Sequence, residues 1–289
     1  MIGRSVAAAL LFAACAPATV RSQPVAVGDD RGARIVLGKP AARVIALAPH
    51  LTEMVYAAGG ADRLVGVIRH SDFPSAAAQL PVVGDAFAVN MEAVARLKPD
   101  LVLVWGSGLN ERTKDQLRSL GVPVYESEIR EVEGIATTLT RLGALLGTAE
   151  ASAAAASEFT RHWQQLRATY SQREPVRVFY QVWAEPLMTI NGQHPIAQAI
   201  RACGGVSAFD ALRPLTPTIS REAAIQANPQ LIASAAEDET SFESWRRFSQ
   251  VEAVRHDRFV KLDGSLIARM GPRFVVGAQA LCEAIDAVR

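Results

Sequence analysis

One phrase occurs twice in the chain. Asn90-Met91-Glu92-Ala93 leads through a short apolar stretch to Pro99 and Leu101-Val102, and Ser220-Arg221-Glu222-Ala223 leads in the same way to Pro229 and Leu231-Ile232. Each copy reads as an N-cap residue, a glutamate in the first helical turn, about two turns of helix, a proline that stops the helix, and a buried strand. An internal duplication of this kind points to two similar lobes, each presenting one acidic helix start. Two-lobed proteins usually hold a ligand between the lobes, and a matched pair of acids can serve as docking points for a two-fold partner.

The 289 residues, 49% hydrophobic and 20% charged, suit one large or two medium globular domains and exclude disordered and collagen-like chains. With 30 Lys+Arg against 29 Asp+Glu there is no basic field for nucleic acid, so that partner class is set aside. Arg4, an apolar run over 6–14, small residues and Pro17 form a secretory signal peptide, 1–22, too short to span a bilayer. Its removal takes away Arg4 and Arg21 and no acid, leaving a nearly neutral mature chain. Cys15 follows Phe12-Ala13-Ala14 as in a lipoprotein cleavage site, but Phe is a poor residue three before the cysteine, so lipid anchoring is the lesser alternative to plain export. Beyond the leader only Cys203 and Cys282 remain. In an oxidising compartment such a pair favours one disulfide, worth about 4–4.5 kcal/mol for so long a loop, over two buried thiols or a metal pair.

Strand and helix signals alternate along the chain. Arg43-Val44-Ile45-Ala46-Leu47-Ala48 is a buried-strand run, followed by Pro49 and His50, a helix over 51–58 and Gly59-Gly60. A strand over 64–68 opens into Arg69-His70-Ser71-Asp72-Phe73-Pro74; the first repeat strand ends in Trp105-Gly106-Ser107-Gly108; a helix over 111–120 leads to a strand over 122–125. The alternation means parallel sheets with helices on both faces. From 148 to about 171 the sequence is Ala-rich, without Gly or Pro, and fits one helix about 35 Å long. Strand signals restart at Arg177-Val178-Phe179, and Ala202-Cys203-Gly204-Gly205 echoes Ala57-Ala58-Gly59-Gly60. The predicted architecture is α/β: two Rossmann-like lobes, 23–147 and 173–289, joined by a single long backbone helix, 148–172.

Enzyme motifs are missing. There is no Gly-x-Ser-x-Gly, His-Glu-x-x-His or Cys-x-x-Cys, and Gly106-Ser107-Gly108 has Glu111 where a dinucleotide turn needs its third glycine. In open α/β sheets ligands sit beyond the carboxyl ends of the strands. The residues emerging there are Pro49, His50, His70, Phe73, Trp105 and Trp183, with Thr216 and Arg269 in loops of the second lobe; Phe87 is a further ligand-binding candidate. Indoles and imidazoles suit the faces of a large flat ligand, and an arginine suits a carboxylate or amide rim. Glu92 and Glu222 would each gain about 0.3–1 kcal/mol from the helix dipole without any partner.

With these residues assembled, the chain resembles the periplasmic cobalamin-binding proteins of bacterial ABC importers, within the group that carries cobalamin, haem and ferric siderophores. The resemblance rests on Arg43-Val44-Ile45 through Thr52-Glu53, Val65-Gly66-Val67 through Ser71-Asp72-Phe73-Pro74, Lys98-Pro99-Asp100-Leu101-Val102, Gln116-Leu117 through Leu120-Gly121, Cys203-Gly204-Gly205, Pro272-Arg273, Leu281-Cys282 and the two Glu phrases. It implies a monomeric periplasmic receptor with no cofactor of its own, holding cobalamin or a related corrinoid between its lobes. It also implies a Cys203–Cys282 disulfide, and docking of Glu92 and Glu222 onto arginines of an inner-membrane permease dimer that works with a cytoplasmic ATPase. Trp105 and Arg269 fall at ligand-contact positions. His70 stands where a cobalamin binder has Tyr, and the positions around Ala86-Phe87 and Thr216 lack that family's Trp residues. His70 or His50 is thereby a candidate to face the cobalt of a bound corrinoid, and His70 is also a candidate ligand to the iron of a haem. The rival reading is a haem or ferric-siderophore receptor of the same fold. An exported enzyme on this scaffold is more remote, since no catalytic pair is found.

Overall fold

The protein is described by a computed structural model covering residues 24–236 and 242–289; the predicted leader, its cleavage site and Cys15 lie outside the described residues. An antiparallel hairpin, β1 (Val25–Gly28) and β2 (Arg34–Leu37), precedes the first lobe. The lobe continues as β3 (Val44–Ala46), α1 (Pro49–Ala57), β4 (Leu64–Val67), α2 (Met91–Arg96), β5 (Leu101–Trp105), α3 (Glu111–Ser119), β6 (Val124–Ser127) and α4 (Gly134–Leu146). Helix α5 (Ala149–Tyr170) then leads to the second lobe. That lobe comprises β7 (Val176–Gln181), α6 (Pro195–Ala202), β8 (Gly205–Ser207), α7 (Arg221–Gln226), β9 (Leu231–Ser234), α8 (Glu252–Arg255), β10 (Phe259–Lys261), α9 (Gly264–Ile267) and α10 (Phe274–Asp286).

The two sheets have the same topology. The first runs β4-β3-β5-β6 and the second β8-β7-β9-β10, with every neighbouring pair parallel. The duplication extends to the latches that close each lobe. Asn90 caps α2 by accepting from Ala93 N at 3.0 Å, and Ser220 caps α7 by accepting from Ala223 N at 3.1 Å. At the far ends, Lys98 and Asn228 take the same left-handed turn, φ 46° and 42°, before their prolines. The Arg43 guanidinium donates to the carbonyls of Leu97 and Lys98, and Arg177 donates to those of Ala227 and Asn228. An arginine at the start of each lobe's first strand thus satisfies the otherwise orphaned carbonyls of the short repeat helix. Helices α1 and α6 match as well: each starts with proline at its first position, where no N–H is needed, and each is followed by a glycine at positive φ, Gly59 at 79° and Gly204 at 71°.

Alternate strand residues serve different cores. Ile45, Val102 and Val104 face an outer cluster in the first lobe, and Phe179 and Ile232 face one in the second. Val44, Leu101, Leu103, Val178 and Leu231 all belong to one continuous core that passes through Phe159, Trp163 and Leu166 of α5 and Phe274 of α10. The long helix is therefore packed into both lobes rather than spanning open space.

Cys203 and Cys282 form a disulfide across 79 residues, both half-cystines fully buried, tying α6 to α10. Replacing both with serine is expected to lower unfolding stability by about 4 kcal/mol, measured by urea denaturation of the purified protein, since the bridge restricts the unfolded chain.

Candidate functional site

Helix α1 begins two residues earlier than its sequence pattern suggested, with Ala48 as N-cap and Pro49 in the first turn. This turns His50 inward. The imidazole is buried and meets the Trp105 indole edge to face, ring centroids 5.8 Å apart. Burial, assisted by the positive charge of Arg269, pushes its pKa down to about 4. His50 is therefore a neutral wall residue at pH 7.

Trp105 is the last residue of β5 and remains 45% exposed, while the four strand residues before it are buried. Its ring lies across Gly108: a Cβ there would sit 2.1 Å from the indole Cε3. The turn is fixed from the side by Glu128, whose carboxylate accepts from Ser107 N at 2.7 Å and Ser107 Oγ at 3.1 Å. The two glycines around Ser107 thus support an indole platform, which accounts for a motif that resembled a nucleotide turn without completing one.

The remaining aromatic candidates are also presented outward. Phe87 is 93% exposed at the tip of a turn in which Asp85 accepts from the backbone of Phe87 and Ala88. Trp183 is exposed, its indole N–H donating to the Glu185 carbonyl at 2.9 Å. His70 is exposed at φ 65°, in a loop anchored by a hydrogen bond between buried Ser71 and Thr52 of α1. Thr216 is exposed in the loop after β8, which buried Asn191 ties down by donating to the carbonyls of Leu212 and Arg213.

Arg269 lies elsewhere than at a free rim. Its guanidinium donates to Glu53 of α1 at 3.1 Å, to Asp72 at 2.8 Å and to the His70 carbonyl at 3.2 Å. The Asp72 carboxyl is held below its usual range chiefly by that hydrogen bond. Arg273 adds two bonds to Glu53, at 2.9 and 2.8 Å, and its guanidinium stacks on Phe73 at 3.8 Å. The Glu53 carboxylate is thus buried in the first lobe and neutralised by two arginines of the second. Behind it, the Gln198 side chain bridges the lobes again, accepting from Val132 N and donating to the Arg130 carbonyl. Sequence reasoning did not single out Glu53, Arg273 or Gln198. Glu53 and Arg273 stood inside the segments that carry the family resemblance; their contact spans 220 residues.

Glu92 and Glu222 are both exposed in the first turns of α2 and α7. Glu92 pairs with Arg96 at 2.7 Å. Glu222 borders a depression lined by Glu185, Leu187, Ile219, Arg221, Arg247 and Phe248. Here the repeat is imperfect: Met91 packs against the outer core of its lobe, whereas Arg221 lies over the Trp245 ring at 4.8 Å.

Two parallel-sheet lobes, a shared backbone helix and aromatic side chains at the carboxyl ends of the strands define a two-lobed ligand-binding protein. Residues 44–266 match the model of the periplasmic binding protein family, and the chain belongs to that family. It is 33% identical to the vitamin B12-binding protein of Vibrio cholerae serotype O1 over 244 residues, 84% of this chain and 88% of that one. The crystal structure of the periplasmic vitamin B12 binding protein BtuF of Vibrio cholerae superimposes with a TM-score of 0.79 at 31% identity, covering 86% of this chain and 98% of the other. The periplasmic heme-binding protein BhuT in complex with two hemes gives 0.76 at 26% identity, covering 86% and 99%.

Two outcomes follow from this geometry. Gly108→Val is expected to push the indole off its seat and weaken ligand binding at least tenfold by titration, with a melting temperature within a few degrees of wild type. The second concerns pH. The folded pKa of His50 lies below the unfolded value of roughly 6.5, so the unfolded chain takes the proton first. Its contribution is complete above about pH 6.5 and is lost as pH falls toward 4. The stability difference between wild type and His50→Gln, from denaturant curves, should accordingly shrink by about 3 kcal/mol between pH 7.5 and pH 4.

Proposed function

We propose that this protein is the extracytoplasmic substrate-binding component of an ABC importer, holding cobalamin or a related corrinoid between its lobes and handing it to the permease. The observation that carries the reading is the exposed indole of Trp105 seated on Gly108 beside His50, in a chain one-third identical to vitamin B12-binding proteins over most of its length. A corrin is a broad, flat, amide-rimmed ring. An indole face on one side and polar loop groups around the edge match those requirements. No step of covalent chemistry is needed, and the relatives the chain matches are binding proteins.

Export by the leader 1–22 places the receptor in the periplasm, where it works as a monomer. Glu92 and Glu222, one on each lobe, are the points that meet arginines of the permease dimer, which is driven by its cytoplasmic ATPase. Both acids are exposed, so neither is required for folding. A haem receptor is the second reading. It draws on the likeness to the heme-binding protein and on the exposed imidazole of His70, a suitable axial ligand to iron or cobalt.

Adding cyanocobalamin, cobinamide, haem or a ferric siderophore to the purified protein should raise the melting temperature with the corrinoids and not with the others. A Soret band with haem, together with no response to corrinoids, would reverse the assignment. Glu92→Gln and Glu222→Gln should each weaken binding to permease-containing proteoliposomes while leaving the melting temperature and corrinoid affinity unchanged.

A further inference from the structure

Lys114, on α3, is 1% exposed, and the carboxylate facing it, Glu126 at the end of β6, is 2% exposed. The ammonium has three acceptors for its three protons: the Glu111 carboxylate at 2.8 Å, the Glu126 carboxylate at 3.0 Å and the Gly106 carbonyl at 2.6 Å. Burial pushes the pKa of Lys114 down, but the bonds to Glu111 and Glu126 outweigh it and leave the pKa raised, so the group is a cation at any working pH. Glu126 is held in turn by Arg118 and Arg31, and Arg31 also reaches Glu111 at 3.0 Å. One of the three acceptors is remarkable only for its address: Gly106 is the residue immediately after Trp105.

We propose that Lys114 is the positioning residue of the binding site, its buried ammonium gripping the Gly106 carbonyl so that the Trp105 indole is held across Gly108 and against His50 before cargo arrives. The peptide after Trp105 is fixed at both ends. Lys114 holds the Gly106 carbonyl, the Gly106 N–H donates to the Ser127 carbonyl at 2.9 Å, and Glu128 holds Ser107. With the backbone pinned, the indole loses little freedom on binding, which favours affinity through preorganisation rather than through an added contact. The same ammonium neutralises buried Glu126, so the ion group that ties α3 to β6 also fixes the turn that carries the indole; it costs desolvation that only its full set of partners offsets. The inference rests on the reading of Trp105 as a cargo contact.

The test uses the full mature chain labelled with 5-fluorotryptophan, comparing wild type with Lys114→Met. The Trp105 fluorine resonance should move or broaden while those of Trp163, Trp183 and Trp245 stay in place, and the Kd for cyanocobalamin should rise at least tenfold. In a cycle with Trp105→Ala, the double variant should bind no more weakly than Trp105→Ala alone. An unmoved Trp105 resonance, or losses that add in the double variant, would overturn the proposal. If Lys114→Met does not fold, the pair Lys114→Met and Glu126→Gln, which also removes the buried charge that Lys114 balances, gives the same readings. If wild type itself ignores cyanocobalamin, the cargo assignment fails while the fluorine spectrum still decides whether Lys114 sets the indole.

Discussion

Everything else in the molecule depends on the packing of α5 into both lobes. Each parallel sheet must be covered on two faces. The outer faces are covered locally, by the clusters around Val102 and Ile232. The inner faces share one apolar core that runs through Phe159, Trp163 and Leu166. That arrangement fixes the distance and angle between the sheets, so the loops at the carboxyl ends of the strands are brought opposite one another. The Glu53 ion group then forms where those loops meet, with one buried carboxylate answering two guanidiniums. A buried acid of this kind is tolerable only when fully paired, and the pairing holds only while the lobes keep their present spacing.

The candidate site is built on two principles. Its outward-facing members, the aromatic Trp105 and Phe87 and the hydroxyl-bearing Thr216, sit on turns held by backbone hydrogen bonds to a nearby polar group: Glu128 for the Trp105 turn, Asp85 for Phe87, Asn191 for the loop carrying Thr216. Its charged members are engaged with one another rather than with solvent. Arg269 is held by Glu53 and Asp72, so its bonding capacity toward a cargo is limited to what those two acids leave free.

Local patterns predicted local structure well. The repeat phrases, the paired glycines after α1 and α6, and the Ala-rich run of α5 correspond to the elements observed, because caps, breakers and periodicity act over a few residues. The N-terminal hairpin and α4 were not foreseen; the hairpin strands are only four residues long, and α4 carries Gly143 in its interior. Of the candidate site, the exposed aromatics could be read from their place after strands. The partners that matter most could not. Glu53 with Arg273, Gln198 with Val132, and Lys114 with Gly106 are joined by tertiary folding, and nothing in the spacing of those residues announces that they meet. His50 shows the same limit at short range: whether its ring faces water or the core turned on a helix start misplaced by two residues.

The shared core gives the duplication an unexpected outcome. The two halves still carry matching sheets, caps and arginine latches, yet neither owns a complete interior. Cut apart anywhere near α5, either half would expose the apolar side of that helix or of the sheet beneath it. What began as a repeated unit has become a single folding unit, in which a ligand gripped at the mouth is felt by the whole chain.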